Sequence, residues 1–235
     1  MAALDVLVVE DNEINRAVAR EMLQSHGHKT IEAHNGAEAV GRAQDEAFDL
    51  ILMDISMPVM DGRSATRKIR NGNGPNNKTP ILALTANAMA SEQAAFLADG
   101  MNGVLVKPLS RAALQGALQG LMAETAVSQG ELVEDFHRNE MREVLGTAAY
   151  NKLRDDFISE AEDLHRWLKI DDLRHLPNVA ARCHKIAGSA AVFGAAHYRK
   201  ALIAVENAAN SGQADSVTAT IGTLEPIWFK TKATL

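Results

Sequence analysis

The sequence has a single cysteine, no long hydrophobic run and no excess of basic residues. Cys183 has no partner for an internal disulfide, which is typical of a reducing compartment such as the cytoplasm. No stretch reaches the roughly 18 apolar residues of a membrane helix, and the chain opens without a basic, cleavable leader, so we expect no membrane insertion. The net charge of −6 argues against a nucleic-acid-binding surface. The chain could still form the soluble part of a membrane-bound protein.

Hydrophobic residues make up 46% of the 235 residues, enough for a packed core, and they follow two different patterns. In the first half, short aliphatic runs alternate with helix-like segments. The runs are Val6–Val9, Leu50–Met53, Ile81–Leu84 and Val104–Val106, and a further, more polar strand is predicted over Lys29–Ala33. Runs this short and apolar are typical of parallel strands buried on both faces. The first half is therefore predicted to be an α/β domain with a doubly wound, five-stranded parallel sheet.

The second half contains no β-branched run, and helical periodicity extends to the end of the chain. Helix breaks are predicted near Gly146, Asp171-Asp172, Gly194-Ala195 and Gly212. This pattern indicates an all-α bundle of four or five helices. We predict an α/β domain over residues 1–122, a linker over 123–130 and the helical domain over 131–235.

Polar residues follow the apolar runs at the points where the strands end: Glu10, Asp11, Asp54, Thr85 and Lys107. The carboxyl ends of parallel strands meet at one edge of the sheet, where ligands bind in open α/β folds, so these side chains should converge. Mg²⁺ prefers oxygen ligands and keeps several waters, so a few carboxylates suffice to hold it. The spacing therefore predicts a magnesium site that can support phosphoryl transfer, which depends on positioning and charge neutralisation.

Asp54 is the best candidate for the nucleophile because it lies between the other two groups of partners. Glu10, Asp11, Asp54 and the main-chain carbonyl of Ser56 are the predicted Mg²⁺ ligands. Lys107 could pair with one phosphoryl oxygen and Thr85 could hydrogen-bond another. Clustered carboxylates repel one another, and a bound cation relieves that repulsion.

This pattern resembles the receiver domain of two-component response regulators, a flavodoxin-like fold, over residues 4–122. The matching residues are Glu10-Asp11, Asp54, Pro58, Gly62, Thr85-Ala86 and Lys107-Pro108. The resemblance implies that Asp54 accepts a phosphoryl group from a phosphohistidine with Mg²⁺, and that the Lys107-Pro108 bond is cis. The Asp11–Asn12 and Met57–Gly62 segments are most similar to receivers of hybrid kinases. Val104 departs from the family, which often has an aromatic switch residue three positions before the lysine.

His184 differs from the other histidines of the second half by its surroundings. At about 100° per residue, one face of its helix is apolar and should form the core: Leu176, Val179, Cys183, Ile186, Ala190 and Phe193. His184 falls off that face, among small residues predicted to be exposed: Ala180, Ala181, Gly188 and Ala191. Glycine within a helix costs about 1 kcal/mol relative to alanine, so Gly188 suggests a steric reason, the close approach of another protein. An imidazole nitrogen is a competent nucleophile toward phosphorus near neutral pH.

The segment around His184 resembles the histidine phosphotransfer (HPt) domain, a helical bundle with one phosphorylatable histidine and no ATP site. The resemblance covers Glu131–Leu235 and implies that His184 exchanges phosphoryl groups with a receiver aspartate. Many members have lysine at the position of Ala187, so Ser189 becomes a candidate hydrogen-bond donor to the phosphohistidine.

Together the two resemblances predict a phosphorelay protein of two-component signal transduction. Its partners would be a histidine kinase, or the dimerisation and phosphotransfer domain of one, and a downstream response-regulator receiver. Nothing in the chain matches an ATP-binding kinase core, so whether it is an enzyme by itself is left open. A receiver followed by HPt is the usual tail order of hybrid sensor histidine kinases, which favours the C-terminal region of such a kinase.

Three other functions fit parts of the sequence. The helical half could be an interaction or dimerisation module that is not phosphorylated. The first half could be an aspartyl-phosphate phosphatase of the haloacid dehalogenase type, but that chemistry needs a second aspartate two residues after the nucleophile, where this chain has Ser56. A DNA-binding output is disfavoured because the second half has neither a basic face nor a recognition-helix pattern.

Overall fold

The computed structural model describes residues 2–86, 90–122, 134–170 and 175–235. The chain divides into two compact units, Met1–Glu131 and Leu132–Leu235. The predicted linker over 123–130 lies outside the described residues. Within the described ranges, every helix is too short or too polar to cross a membrane.

The first unit contains the predicted parallel sheet. Its strands are β1 (Asp5–Val9), β2 (Lys29–Ala33), β3 (Leu50–Asp54), β4 (Ile81–Thr85) and β5 (Gly103–Val106). Their order is β2-β1-β3-β4-β5, and all neighbours are parallel, which confirms the doubly wound topology. Strands β3 and β4 are buried along their whole length, as continuous apolar runs require. The strand order reverses beside β1 and β3, and such a switch point opens a crevice at the carboxyl edge.

Helices connect the strands, and side-chain caps fix where they begin. They are α1 (Glu13–Ser25), α2 (Gly36–Asp45), α3 (Gly62–Asn71), α4 (Ala90–Ala98) and α5 (Arg111–Met122). Asn12 accepts two hydrogen bonds from main-chain N–H groups in the first turn of α1, at 2.9 and 3.1 Å. Asp61 accepts one from the Ser64 N–H at 2.8 Å and so begins α3. Because these caps lie on the loops after β1 and β3, they also anchor the carboxyl edge of the sheet.

Gly62 provides a test of how tightly the loop after β3 packs. A Cβ atom at this position would lie 2.0 Å from the main-chain oxygen of Asp54, which cannot move without breaking the end of β3. We expect Gly62→Ala to lower the free energy of unfolding by about 3 kcal/mol in urea denaturation. Gly41→Ala is the matched control, because a Cβ there meets nothing within 4 Å in the middle of α2. It should be neutral or stabilise by about 0.5–1 kcal/mol, and equal effects of the two substitutions would contradict the structure.

The second unit is helical throughout its described residues. Its helices are α6 (Glu134–Ile170), α7 (Leu176–Val192), α8 (Ala196–Asn210) and α9 (Ala214–Lys232). The predicted breaks at Gly146, Gly194 and Gly212 are confirmed, since each glycine has a positive φ of 65–72° and Gly146 interrupts α6. The break predicted at Asp171-Asp172 lies outside the described residues. The core of the unit holds five buried aromatic side chains: Tyr150, Phe157, Phe193, Tyr198 and Trp228.

Candidate functional site

The carboxyl edge of the sheet brings three acidic side chains together. Glu10, Asp11 and Asp54 each place a carboxylate oxygen so that these atoms all lie within 4.8 Å of one another. Glu10 and Asp54 are buried, with 1% and 2% exposure, whereas Asp11 is half-buried. The sequence therefore predicted the convergence of these residues, because each follows a parallel strand.

Lys107 lies against two of these carboxylates. Its Nζ is 2.7 Å from Glu10 Oε2 and 2.9 Å from Asp54 Oδ2. The Lys107-Pro108 peptide bond is cis, which confirms the expectation drawn from the resemblance. One ammonium thus pairs with two of the three clustered carboxylates, and the remaining negative charge fits a divalent cation.

The same crowding changes the protonation of the two buried partners. Burial, followed by the negative charge of Asp54, raises the pKa of Glu10 to about 7, although Lys107 acts in the opposite direction. Burial also disfavours the charged form of Lys107, but Asp54 and Glu10 outweigh it and raise its pKa. Lys107 is therefore a permanent cation at physiological pH.

Two residues of α1 position Glu10, and sequence reasoning missed both. Asn15 donates a hydrogen bond from Nδ2 to Glu10 Oε1 at 3.2 Å. The buried Arg16 guanidinium donates to the Glu10 main-chain oxygen at 2.9 Å and to Glu32 on β2 at 3.0 Å. The sequence does place Arg16 among the apolar residues of α1. A buried arginine needs a main-chain or ionic partner, so this position could have indicated the contact.

The structure also places the two remaining predicted residues of this site, Thr85 and Ser56, at this edge. Thr85 is buried at the end of β4, and its main-chain oxygen accepts a hydrogen bond from the Lys107 N–H at 2.7 Å. The Ser56 N–H donates to Asp54 Oδ1 at 3.3 Å. Val104 packs partly buried against the core, in the position where the family often has an aromatic residue.

Lys107→Ala tests the electrostatics of this edge. Two buried carboxylates would lose their cation, so the free energy of unfolding should fall by about 3 kcal/mol at pH 8. The loss should be smaller at pH 6, because Glu10, whose pKa in the folded chain is about 7, is then largely protonated and has less negative charge for Lys107 to neutralise. A folded-state pKa above the unfolded value of 4.5 means that stability is lost as pH rises, and removing Lys107 raises this pKa further, so the variant should lose more stability between pH 6 and pH 8. Urea denaturation at both pH values measures the difference. The exposed Lys78→Ala is the control, and a pH-independent loss in Lys107→Ala would contradict the assignment.

His184 occupies a half-buried position on α7, 24% exposed at its side chain. Its Nδ1 lies 2.9 Å from Oε1 of Glu206 on α8. A proton on Nδ1, held by this carboxylate, leaves the lone pair of the neutral ring on Nε2. Glu206 was missed by sequence reasoning, because nothing in a helix pattern shows which residue of a later helix faces it.

The surroundings of His184 agree with the predicted core face but correct several details. Of the six predicted core residues, Leu176 is half-buried and the other five are buried: Val179, Cys183, Ile186, Ala190 and Phe193. Ala180 and Ala191, predicted to be exposed, are buried at 6% and 7% exposure because α7 packs against both α6 and α8, so the covered arc is wider than the apolar stripe. Ala181 is exposed, as predicted, whereas Gly188, also predicted to be exposed, is half-buried.

One neighbour of His184, Ser189, has different surroundings from those the sequence suggested. Ser189 is fully buried, so the predicted hydrogen bond to a phosphohistidine on the exposed side is wrong. Lys185 pairs with Glu160 of α6 at 2.9 Å. Cys183 is confirmed as a core residue, and burial, with the nearby Glu206 charge, raises the pKa of its thiol to about 12.

Comparisons with known proteins assign the first unit. Residues 6–119 match the family described as the response regulator receiver domain. Over 110 residues the chain is 46% identical to the rice two-component response regulator ORR41, covering 45% of this chain and 84% of that protein. A crystal structure of the receiver domain of the Pseudomonas aeruginosa sensor histidine kinase PA1611, described with a coordinated magnesium ion, is 43% identical, with a TM-score of 0.48 and coverage of 52% of this chain and 99% of that one.

Sensor kinases match the chain over a small part of their own length. The sensor protein GacS of Pseudomonas syringae is 45% identical over 107 residues, which is 45% of this chain and 12% of GacS. The P. aeruginosa sensor histidine kinase AruS is 33% identical over 196 residues, 80% of this chain and 19% of AruS. Since the first unit ends at residue 131, the AruS alignment must include part of the helical unit. Residues 6–119 match the family, and the chain is 46% identical to a response regulator of which it covers 84%. Through these residues, the chain belongs to the response regulator receiver domain family of two-component signalling.

Proposed function

We propose that the chain is a two-site phosphorelay module, with Asp54 and His184 as the phosphorylated residues. The observation that carries the proposal is the buried Asp54 carboxylate, 2.9 Å from Lys107 and grouped with Glu10 and Asp11 at the edge of a receiver fold. In this reading Asp54 takes its phosphoryl group from a histidine kinase, and His184 exchanges phosphoryl groups with a receiver aspartate.

The residues at the acidic edge fit a magnesium ion. Glu10, Asp11, Asp54 and the Ser56 main-chain carbonyl would hold it, because three clustered carboxylates, of which two pair with Lys107, leave an excess of negative charge. When bound, the ion supplies positive charge to the oxygens of the transferring phosphoryl group.

Asp54 acts as the nucleophile. An oxygen of its carboxylate attacks phosphorus, the acyl O–P bond forms, and the N–P bond of the donor phosphohistidine breaks, with the electron pair returning to the imidazole nitrogen. Lys107 stands 2.9 Å from Asp54 Oδ2 and would pair with a phosphoryl oxygen as charge builds there. The Thr85 hydroxyl, at the end of the neighbouring strand β4, is proposed to hydrogen-bond another phosphoryl oxygen.

His184 would perform the reverse exchange. The Nε2 lone pair attacks the phosphorus of an aspartyl phosphate, an N–P bond forms, and the carboxylate leaves with the electrons of the O–P bond. Glu206 supports this step by holding the Nδ1 proton at 2.9 Å and stabilising the positive charge that develops on the ring. The AruS alignment, which extends into this unit, also supports the assignment.

We further propose that the chain is the C-terminal region of a hybrid sensor histidine kinase and works in the cytoplasm. The support is its similarity to proteins named as sensor histidine kinases, of which it spans less than a fifth. The upstream partner would be the phosphorylated histidine of the kinase, and the downstream partner a separate response-regulator receiver.

Phosphosite mapping tests the proposal. The chain is incubated with an autophosphorylated histidine kinase, freed of ATP, with Mg²⁺ or with EDTA. Acyl phosphate is base-labile and phosphohistidine is acid-labile, so the two products can be separated. The proposal predicts Mg²⁺-dependent label on Asp54 followed by label on His184, and an unlabelled chain would contradict it.

A further inference from the structure

Val59 combines an exposed apolar side chain with a strained backbone. It is 85% exposed and has a φ of 68°. A β-branched residue avoids positive φ because its branched Cβ crowds the backbone, so this is a genuine outlier. The Met60 N–H donates to the Pro58 carbonyl at 2.7 Å and closes a three-residue turn centred on Val59. Turns of this kind with a positive φ at the centre are rare and strained.

The loop around this turn is held from both sides. The Met60 carbonyl accepts a hydrogen bond from the Gly36 N–H at 3.0 Å, and the Met60 side chain packs against the core. The Gly62 N–H donates to the Ile55 carbonyl, also at 3.0 Å. Since asparagine or glycine would fit this conformation more easily, the valine imposes strain that the surrounding contacts maintain. Strain maintained in this way is concentrated at functional sites.

The place of Val59 suggests what it does. It stands on the loop that leaves β3 directly after Asp54, the proposed phosphoryl acceptor. Asp54 is only 2% exposed, so a donor imidazole can reach it only if the donor protein covers this edge closely. Such a contact removes an apolar side chain on the loop from water, which favours association.

We propose that Val59 is a docking residue for the protein that exchanges phosphoryl groups with Asp54, an inference that rests on the proposed function. The fitting surface is a helix face on which small residues lie one turn to either side of a phosphohistidine. Helix α7 has this form around His184, because Ala181 is exposed and Gly188 half-buried. In a second copy of the chain, valine would pack over these small residues, where bulkier ones would hold the two backbones apart.

Transfer between two copies of the full chain tests the inference. The donor is the Asp54→Asn chain loaded on His184 with phosphoramidate and freed of the reagent. The acceptor is the His184→Gln chain, either without a further substitution or with Val59→Asn, Val59→Ile or Leu97→Asn. Leu97 is a matched control, being 56% exposed at the end of α4, which runs away from the carboxyl edge. Each acceptor is also labelled directly with phosphoramidate, and its melting temperature is measured.

We expect Val59→Asn to raise the KM, the donor concentration that gives half the maximal rate of transfer, about tenfold. The maximal rate constant of transfer, kcat, should not change. Direct labelling by phosphoramidate should not change, and the melting temperature should rise by about 3 °C as strain is released. Val59→Ile and Leu97→Asn should keep KM within about twofold. An unchanged KM in Val59→Asn, an equal rise in Leu97→Asn, or a lowered melting temperature in Val59→Asn would overturn the inference. Failure of the otherwise unsubstituted acceptor to take label from either source would instead overturn the proposed function and, with it, this inference.

Discussion

Asp54→Asn is expected to abolish the base-labile label that the chain takes from a phosphorylated histidine kinase in the presence of Mg²⁺. An amide oxygen is a far poorer nucleophile than a carboxylate, so labelling should fall by at least about a hundredfold. The fold should persist, because asparagine has the same shape and Lys107 keeps its 2.7 Å contact with Glu10. Removing the negative charge of Asp54 should also lower the pKa of the Glu10 carboxyl toward its ordinary value.

Asp45→Asn is the matched control for this experiment. Asp45 carries the same charge but is exposed at the end of α2, so its removal changes the net charge of the unit without touching the acidic edge. We expect labelling indistinguishable from that of the unsubstituted chain. Base-labile label that persists in Asp54→Asn would contradict the assignment of the acceptor and point to another carboxylate.

His184→Gln is expected to remove all acid-labile label while leaving the label on Asp54 intact. Glutamine can still contact Glu206 but offers no nitrogen lone pair able to form an N–P bond. When a separate receiver is present as a drain, phosphoryl flow through the chain should fall by at least about a hundredfold. His197→Gln is the control, because that histidine is exposed on the neighbouring helix α8 and has no proposed role.

This second substitution also separates the two readings of the helical unit. A relay unit loses phosphoryl flow with His184→Gln but still binds its partner. An interaction or dimerisation module would show unchanged signalling, and no acid-labile label even in the unsubstituted chain. That outcome would limit the proposed function to the receiver.

The acidic edge could be predicted from sequence because a simple topological rule connects distant residues. Glu10, Asp54 and Lys107 are far apart along the chain, but each follows a buried parallel strand, and the carboxyl ends of such strands meet. The rule gives the location of side chains at strand ends and nothing about helices that pack beside them. Asn15 and Arg16, which hold Glu10, were therefore missed.

The helical unit shows where a single-helix pattern stops being informative. Periodicity identified the core face of α7 and set His184 off it, because that depends only on the geometry of one helix. Glu206 and the burial of Ala180 and Ala191 depend on how α8 and α6 pack against α7, which no local pattern specifies. The strain at Val59 was equally hidden, since valine is the residue that a sequence would least suggest for positive φ.

The most direct test of the two-site account is a single-turnover time course on the intact chain. Autophosphorylated histidine kinase and Mg²⁺ are added together with a separate receiver as the final acceptor, and base-labile and acid-labile label are followed separately. The account predicts label first on Asp54, then on His184, and finally on the added receiver. Label that reaches the added receiver at the same rate in the Asp54→Asn, His184→Gln double variant would contradict it.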